Sequence, residues 1–153
     1  WCNNTLPSSG ETIMAFTRFA KISAENTVLD IVAFEESLMK DENDIPQESI
    51  GQAYLETHNN WPAAMWIQGT EARKNGPGIG MEWDPVNQIF WPISSFASWT
   101  KDISSGQWVP PVSEPDDITP EEKANNIEHW WDEENQEWKK YTNINVNELD
   151  AAS

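Results

Sequence analysis

Few residues of this 153-residue chain belong to the types that catalyse reactions or bind metal ions. Its two histidines, His58 and His129, lack a second metal ligand at helical or strand spacing, so neither predicts a zinc site. Glu82 and Asp84 flank Trp83, and two carboxylates beside an aromatic ring are the groups that hydrolyse glycosides. A strand end and a turn should point these carboxylates to different sides. The sequence therefore predicts a protein without catalytic residues, metal or cofactor, and a glycosidase remains an alternative only if two carboxylates converge in a cleft.

Two other features that could carry chemistry have simpler interpretations. Cys2 is the single cysteine, so it cannot form an internal disulfide. Glycines alternate in GPGIG at residues 76–80, but the Lys-Ser/Thr pair and the strand-to-helix context of a phosphate-binding loop are absent from this segment. This segment predicts a turn that leads into a strand.

The net charge of the chain limits the classes of molecule that it is expected to bind. Nine Lys and Arg stand against 26 Asp and Glu, which gives a formal net charge of −17 at pH 7. Such a charge repels nucleic-acid phosphates and anionic membrane surfaces, and favours partners with basic patches. The sequence also has no apolar run long enough to span a bilayer and no signal-peptide pattern. Nucleic acid and membrane are therefore not expected as partners.

Ten tryptophans are an unusual number for a chain in which 38% of residues are hydrophobic, so aromatic rings must supply much of the core. Two segments share one pattern at identical spacing: WDPVNQIF at residues 83–90 and WDEENQEW at residues 131–138. A third, WTKDISSGQW at residues 99–108, keeps the flanking tryptophans and the glutamine with two more residues between them. We interpret the three as degenerate repeats of one hairpin.

The spacing within these repeats predicts ring pairs across each hairpin. Trp83 should face Phe90 and Trp131 should face Trp138, and such cross-strand aromatic pairs contribute up to about 1 kcal/mol each. The aspartate suits the first position of a type I turn. The left-handed residue that reverses the chain is expected at the residues best suited to it, which are Asn87, Asn135 and Gly106.

The remaining segments carry ordinary signals of secondary structure. β-Branched and aromatic runs on both sides of AENT, residues 24–27, predict a β-hairpin. One stripe at i, i+3, i+4 and i+7, formed by Ile50, Ala53, Tyr54 and Thr57, predicts a short amphipathic helix that Asn59-Asn60 can end. Thr119, Pro120 and Glu122 predict an N-cap, a first-turn proline and a capping box for a helix of one or two turns.

Together these signals predict an α+β fold that is mostly β. A small antiparallel sheet with one short helix is followed by serial aromatic β-hairpins and an acidic C-terminal arm, because residues 113–153 hold twelve acidic residues and three lysines. The expected divisions are an N-terminal extension (1–13), a β-rich head domain (14–112), an acidic proline-rich connector with a short helix (113–127), a terminal aromatic hairpin (128–141) and a tail (142–153).

The order of several short segments resembles a family of small proteins common in the genomes of marine cyanophages. The segments are MAFTRFAKI and NTVLDIVAF, IGQAYLETH, EARKNGPGIGMEWDPVNQIFWP, SWTKDISSGQWVPPV, EPDD and HWWDEENQEW, and they cover about residues 14–141. Such proteins are generally regarded as virion structural proteins. The resemblance implies a component of a tailed-phage particle and transfers no catalytic residues. The chain departs from the family pattern before Met14 and between Asp117 and Trp130.

The expected function is therefore that of a non-enzymatic structural protein of a tailed-phage virion, as a decoration protein, a connector or a fibre-associated protein. It would assemble through aromatic hairpins with other virion proteins that carry basic patches, and a homo-oligomer is a further candidate assembly. The residues expected to make these contacts are Trp99, Trp108, Trp130, Trp131 and Trp138. The alternative is a receptor- or glycan-binding module of a phage fibre or surface protein, in which the same rings stack on sugars, with a host glycan as the partner.

Overall fold

The computed structural model describes residues 14–144, and within it the chain divides into two compact units with the boundary between Ile93 and Ser94. This boundary differs from the predicted one at residue 112. Residues 94–112 group with the terminal hairpin because the ring of Trp99 packs against Trp131 and Trp138. The predicted extension (1–13) and residues 145–153 of the predicted tail (142–153) lie outside the described residues.

The first unit is built on a three-stranded antiparallel sheet in the order β2-β1-β3, with β1 (Phe16–Ile22), β2 (Val28–Glu35) and β3 (Trp66–Gly69). β1 and β2 form the predicted hairpin. Its turn is fixed by the Ser23 hydroxyl, which accepts the N–H groups of Glu25 and Thr27, and by Asn26 in the left-handed conformation.

One face of this sheet is covered by helix α1 (Glu48–Asn59). The helix ends as predicted, with Asn60 in the left-handed conformation at φ 50°. Phe19, Phe34 and Trp66 of the sheet form a buried cluster with Leu55 of the helix. Gly51 allows the helix to come this close, because a Cβ there would lie 2.7 Å from the ring of Phe19.

The other face of the sheet is covered by an aromatic hairpin of β4 (Glu82–Asp84) and β5 (Ile89–Trp91). Trp83 and Phe90 pack against Ala20, Ile22 and Ile67 in a second buried cluster. The alternation of side chains along β1 explains the two clusters, because Phe19 points to the helix and Ala20 to the hairpin. The rings therefore form the core, as the composition predicts.

The second unit contains two further hairpins and one short helix. The elements are β6 (Thr100–Asp102), β7 (Gln107–Val109), α2 (Pro120–Ala124), β8 (Ile127–Asp132) and β9 (Glu137–Thr142). The predicted capping box of α2 is present, with Glu122 and Thr119 each accepting the other's backbone N–H. The fold is thus α+β and mostly β, with small antiparallel sheets and few helices. Among residues 14–144, no helix combines the length and apolar character needed to cross a membrane.

Candidate functional site

The turn between β4 and β5 is organised by one aspartate. Oδ1 of Asp84 accepts the backbone N–H groups of Val86 and Asn87 at 3.0 Å each. Oδ2 accepts the side-chain amide of Asn87 at 2.8 Å and the indole N–H of Trp91 at 3.1 Å. The asparagine of the repeat therefore holds the carboxylate of the aspartate, and both carboxylate oxygens are committed to the turn.

The other two hairpins repeat this arrangement. In the terminal hairpin, the Asn135 amide donates to Oδ2 of Asp132 at 2.8 Å. Between β6 and β7, the Ser105 hydroxyl donates to Oδ2 of Asp102, also at 2.8 Å. Asp102 therefore corresponds to Asp84 and Asp132, and Ser105 to the two asparagines. The prediction that the third repeat has two extra residues is therefore wrong. The segment that matches the other two repeats runs from Asp102 to Trp108, and Trp99 lies before it.

The left-handed residue of each turn follows the asparagine or serine. It is Gln88 at φ 57°, Gln136 at φ 52° and Gly106 at φ 71°. The prediction was correct for Gly106 and wrong for Asn87 and Asn135. The side-chain amide of each of those asparagines instead donates a hydrogen bond to the turn aspartate. The glutamine at the next position does not make this bond.

These hydrogen bonds lower the pKa of two of the turn aspartates from 3.8 to about 2. For Asp84, burial raises the pKa, but the bonds from Asn87, Trp91 and Val86 outweigh it. For Asp132, the largest cause is the bond from the Asn135 side chain, followed by the bond from Lys139. Both aspartates are therefore ionised at neutral pH and stabilise their turns as carboxylates.

The rings face each other across two of the three hairpins. Trp83 pairs with Phe90 at 4.6 Å between ring centroids, and Trp131 pairs with Trp138 at 5.4 Å, as predicted. In the third hairpin, Trp108 lies opposite Lys101, whose ammonium group is 5.4 Å from the ring centroid. A cation–π contact thus takes the place of the ring pair there.

Three of the five predicted interaction residues form one cluster inside the second unit. Trp99 lies 6.2 Å from Trp131 and 6.1 Å from Trp138, measured between ring centroids. Trp131 is 2% exposed, and its indole N–H donates to Glu133 at 2.9 Å. The Glu133 carboxylate also accepts the N–H and the hydroxyl of Ser98 at 2.8 and 2.7 Å, which fixes the segment before β6 to the terminal hairpin. These rings are therefore occupied in internal packing.

Trp130 points to the opposite face of the terminal hairpin, which we call the outer face: Glu128, Trp130, Asp132, Glu137, Lys139 and Tyr141. Trp130 is 44% exposed and Tyr141 is 39% exposed. The Tyr141 hydroxyl donates to Glu128 at 3.1 Å, and the ammonium group of Lys139 lies 6.0 Å from the Trp130 ring centroid. This face combines two accessible rings with fixed polar groups, so it is the best candidate for contact with a partner.

The inner face of the same hairpin holds a feature that the sequence did not predict. The ring of His129 lies edge-on to Trp138, with 6.3 Å between the ring centroids. Its nitrogens, however, face two carboxylates of the connector: Nδ1 is 3.2 Å from Glu114 and Nε2 is 2.8 Å from Asp117. The acidic run before the hairpin was visible in the sequence, but its distance from His129 was not.

The residues considered for catalysis lie in separate elements, His58 in α1 and His129 in β8, except that Glu82 and Asp84 lie two residues apart in β4 and not on different sides as expected. His58 stacks on Tyr54 at 4.0 Å within α1. Asp84 is committed to its turn, and Glu82 lies in β4 at a bridge to Thr27. No group of three or more His, Cys, Asp or Glu side chains within residues 14–144 is arranged to hold a metal ion.

Comparisons with protein-family models, with curated proteins and with solved structures found no match to this chain.

Proposed function

We propose that this protein is a non-enzymatic structural component of a tailed-phage virion, attached to other virion proteins through the outer face of its terminal hairpin. Trp130 and Tyr141 are exposed on one face of a hairpin whose other face is already packed, and this observation supports an attachment role. Exposed Trp and Tyr on a rigid support are the residue types that dominate protein–protein interfaces. The virion setting comes from the resemblance of the sequence.

The charge of the second unit indicates the chemistry of its partner. Residues 94–144 contain eleven Asp and Glu against four Lys, a net charge of −7. On the outer face, Lys139 is the single cation, and it is paired with Asp132 and Glu137. A basic patch on a neighbouring virion protein complements this surface, and its binding should weaken as salt screens the charges.

The test compares Trp130→Ala with wild type during particle assembly. Each tagged chain is supplied in trans during infection by the phage that encodes it, and the purified particles are probed for the tag. We expect wild type to co-purify with particles and W130A to be reduced by about 30-fold, the effect of losing roughly 2 kcal/mol at an interface hot spot. Val86→Ala, at an 87% exposed site of the first unit, is the matched control and should behave as wild type.

Two results would contradict the proposal. Absence of the wild-type chain from purified particles would exclude a virion role. Normal incorporation of W130A would exclude attachment through the outer face. A thermal melt of each variant shows whether any loss arises from unfolding.

A glycan-binding module is the second candidate, and the polar surroundings of Trp130 favour it. The ring is accessible beside the Glu128 carboxylate and the Tyr141 hydroxyl, so a sugar could stack on the ring while its hydroxyls bond these groups. Glycan-array binding that is lost in W130A, with particle incorporation retained, would support this function over assembly. Trp131→Ala is unsuitable for this test because Trp131 is buried.

A further inference from the structure

The connector between β7 and β8 is held against the terminal hairpin by side chains of both its strands. The Trp138 indole N–H donates to the Val112 carbonyl at 2.8 Å. Lys140 donates to the Asp117 carbonyl at 2.9 Å and to both carboxylate oxygens of Glu122 at 3.0 Å. The backbone bond from Thr119 and the bond from Lys140 lower the pKa of Glu122, and the bond from Glu122 raises the pKa of Lys140. This ion pair therefore stays charged throughout the neutral range.

His129 makes the remaining connection, and its geometry depends on a proton. The ring lies between the carboxylates of Glu114 and Asp117, one at each nitrogen, and the side chain is 3% exposed. A carboxylate only accepts, so each nitrogen must donate. Neutral imidazole carries one N–H and imidazolium carries two. Both contacts can therefore be hydrogen bonds only when His129 is protonated.

The charged groups around this ring come from every element packed against it. The connector supplies Glu114, Asp116 and Asp117, α2 supplies Glu122 and Lys123, β9 supplies Lys140, and β8 supplies Glu128, which lines the adjacent cavity although its strand position is on the outer face. These are five carboxylates and two ammonium groups. A cavity of about 620 Å³ lined by several of them opens beside the ring.

We propose that His129, Glu114 and Asp117 form a proton-dependent lock between the connector and the terminal hairpin, which we call the His129 bridge. Imidazolium holds both carboxylates. Loss of one proton leaves a single N–H, and the ring nitrogen that has lost its hydrogen then faces a carboxylate oxygen with no hydrogen between them. One of the two contacts opens.

The structure indicates which contact opens. The bond to Asp117 is the shorter of the two, and Lys140 also holds the Asp117 segment. The Glu114 contact is longer, at 3.2 Å, and the Trp138 bond that supports its segment is made two residues away, at the Val112 carbonyl, so this contact breaks first. Opening is coupled to proton release, so raising the pH favours it. The effect is confined to residues 113–117, because the capping box and Lys140 retain α2.

Nuclear magnetic resonance of the full chain tests this lock during a pH titration that converts His129 from imidazolium to neutral imidazole. The ring ¹⁵N shifts report whether one or both nitrogens carry hydrogen, and backbone order parameters report the connector. We expect both nitrogens to be protonated at low pH. As His129 loses a proton, the order parameters of Glu114 and Asp116 should fall from about 0.85 toward 0.6, the change from rigid to flexible backbone.

Three variants sharpen the result. His58→Gln removes the other histidine signal and should keep the wild-type response. His129→Gln should give a mobile connector at every pH. Glu114→Gln should give an ordered connector at every pH, because a glutamine amide can donate to a neutral ring nitrogen or accept from a protonated one.

The proposal is overturned if the connector is ordered while His129 carries a single N–H. It is also overturned if connector order stays constant while His129 titrates, or if E114Q responds to pH as wild type does. The wild-type and E114Q measurements suffice even if H129Q does not fold. None of these outcomes depends on what the outer face binds.

Discussion

At the scale of single residues, Gln88 and Gln136 hold the same left-handed backbone position in different surroundings. Gln136 is exposed at the tip of its turn. The Gln88 side chain accepts a hydrogen bond from Arg73 at 3.0 Å and donates to the Pro85 carbonyl at 2.7 Å. The same conformational cost is therefore offset at Gln88 by hydrogen bonds from its own side chain.

This difference predicts that glycine stabilises the protein at one of the two positions only. We expect Gln136→Gly to raise the free energy of unfolding by about 0.5–1 kcal/mol, because glycine adopts the left-handed conformation without steric cost. Gln88→Gly should give no gain, since it also removes two hydrogen bonds. Urea denaturation of both variants measures the effect, and equal shifts in the two midpoints would refute the explanation.

Asp84 predicts an acid sensitivity of the first aromatic turn. Its pKa is lowered from 3.8 to about 2, so the stability it contributes is present above about pH 4 and is lost as the pH falls toward 2. Asp84→Asn should cost about 1–3 kcal/mol at pH 7, and the difference from wild type should shrink between pH 4 and 2.

Denaturation of both proteins at each pH measures this difference directly. Val86→Ala, which leaves the aspartate in place, should keep the wild-type pH dependence. A difference between D84N and wild type that stays constant down to pH 2 would show that the charge of Asp84 does not stabilise the turn.

At the scale of elements, the two faces of the terminal hairpin differ in role. The inner face packs inside the second unit, and the outer face is exposed for contact with a partner. Adjacent residues Trp130 and Trp131 point in opposite directions because side chains alternate along a strand. Trp131 lies in the ring cluster with Trp99 and Trp138, whereas Trp130 is exposed. Neighbouring residues of one type should therefore respond differently to the same substitution.

Trp131→Ala should lower the free energy of unfolding by about 3–5 kcal/mol, the usual cost of removing a buried large aromatic ring. Trp130→Ala should change it by less than about 0.5 kcal/mol, as expected for a surface substitution. Denaturation followed by near-ultraviolet circular dichroism measures both and reports loss of ring packing. Comparable destabilisation by the two variants would contradict the assignment of the faces.

At the scale of the whole molecule, the net charge of −17 opposes compaction because like charges repel one another. The cations that could offset it are few, and several are already paired: Arg73 with Glu48, and Lys140 with Glu122 and Asp117. With 26 acidic residues and nine Lys and Arg in the sequence, most acidic residues cannot each have a cation of their own.

Salt should consequently stabilise this protein. We expect the melting temperature to rise by a few degrees between 10 mM and 300 mM NaCl at pH 7, because the Debye length falls from about 30 Å to below 10 Å over this range. Thermal scans by circular dichroism measure the shift, with equal osmolarity of sucrose as the control. A melting temperature that falls with salt would mean that the ion pairs outweigh the general repulsion.

The sequence by itself determined the local elements of this protein. Ring spacing predicted the pairs Trp83–Phe90 and Trp131–Trp138. Capping residues predicted the C-terminal end of α1 and the N-terminal end of α2. Each of these signals acts over a few neighbouring residues. The α+β, mostly β fold followed from the same signals. The exchange of roles between asparagine and glutamine in the turns was missed because asparagine is the more usual left-handed residue, whereas here its side chain bonds the turn aspartate.

Only the tertiary structure decided which aromatic rings are buried and which groups surround His129. Composition treats Trp130 and Trp131 alike, and their difference depends on which face of the hairpin Trp99 covers. The His129 bridge likewise joins residues 12 and 15 positions apart. Contacts of this kind depend on how the connector folds back on the hairpin, and that path follows from the packing of the whole unit, so no local pattern of residues specifies it.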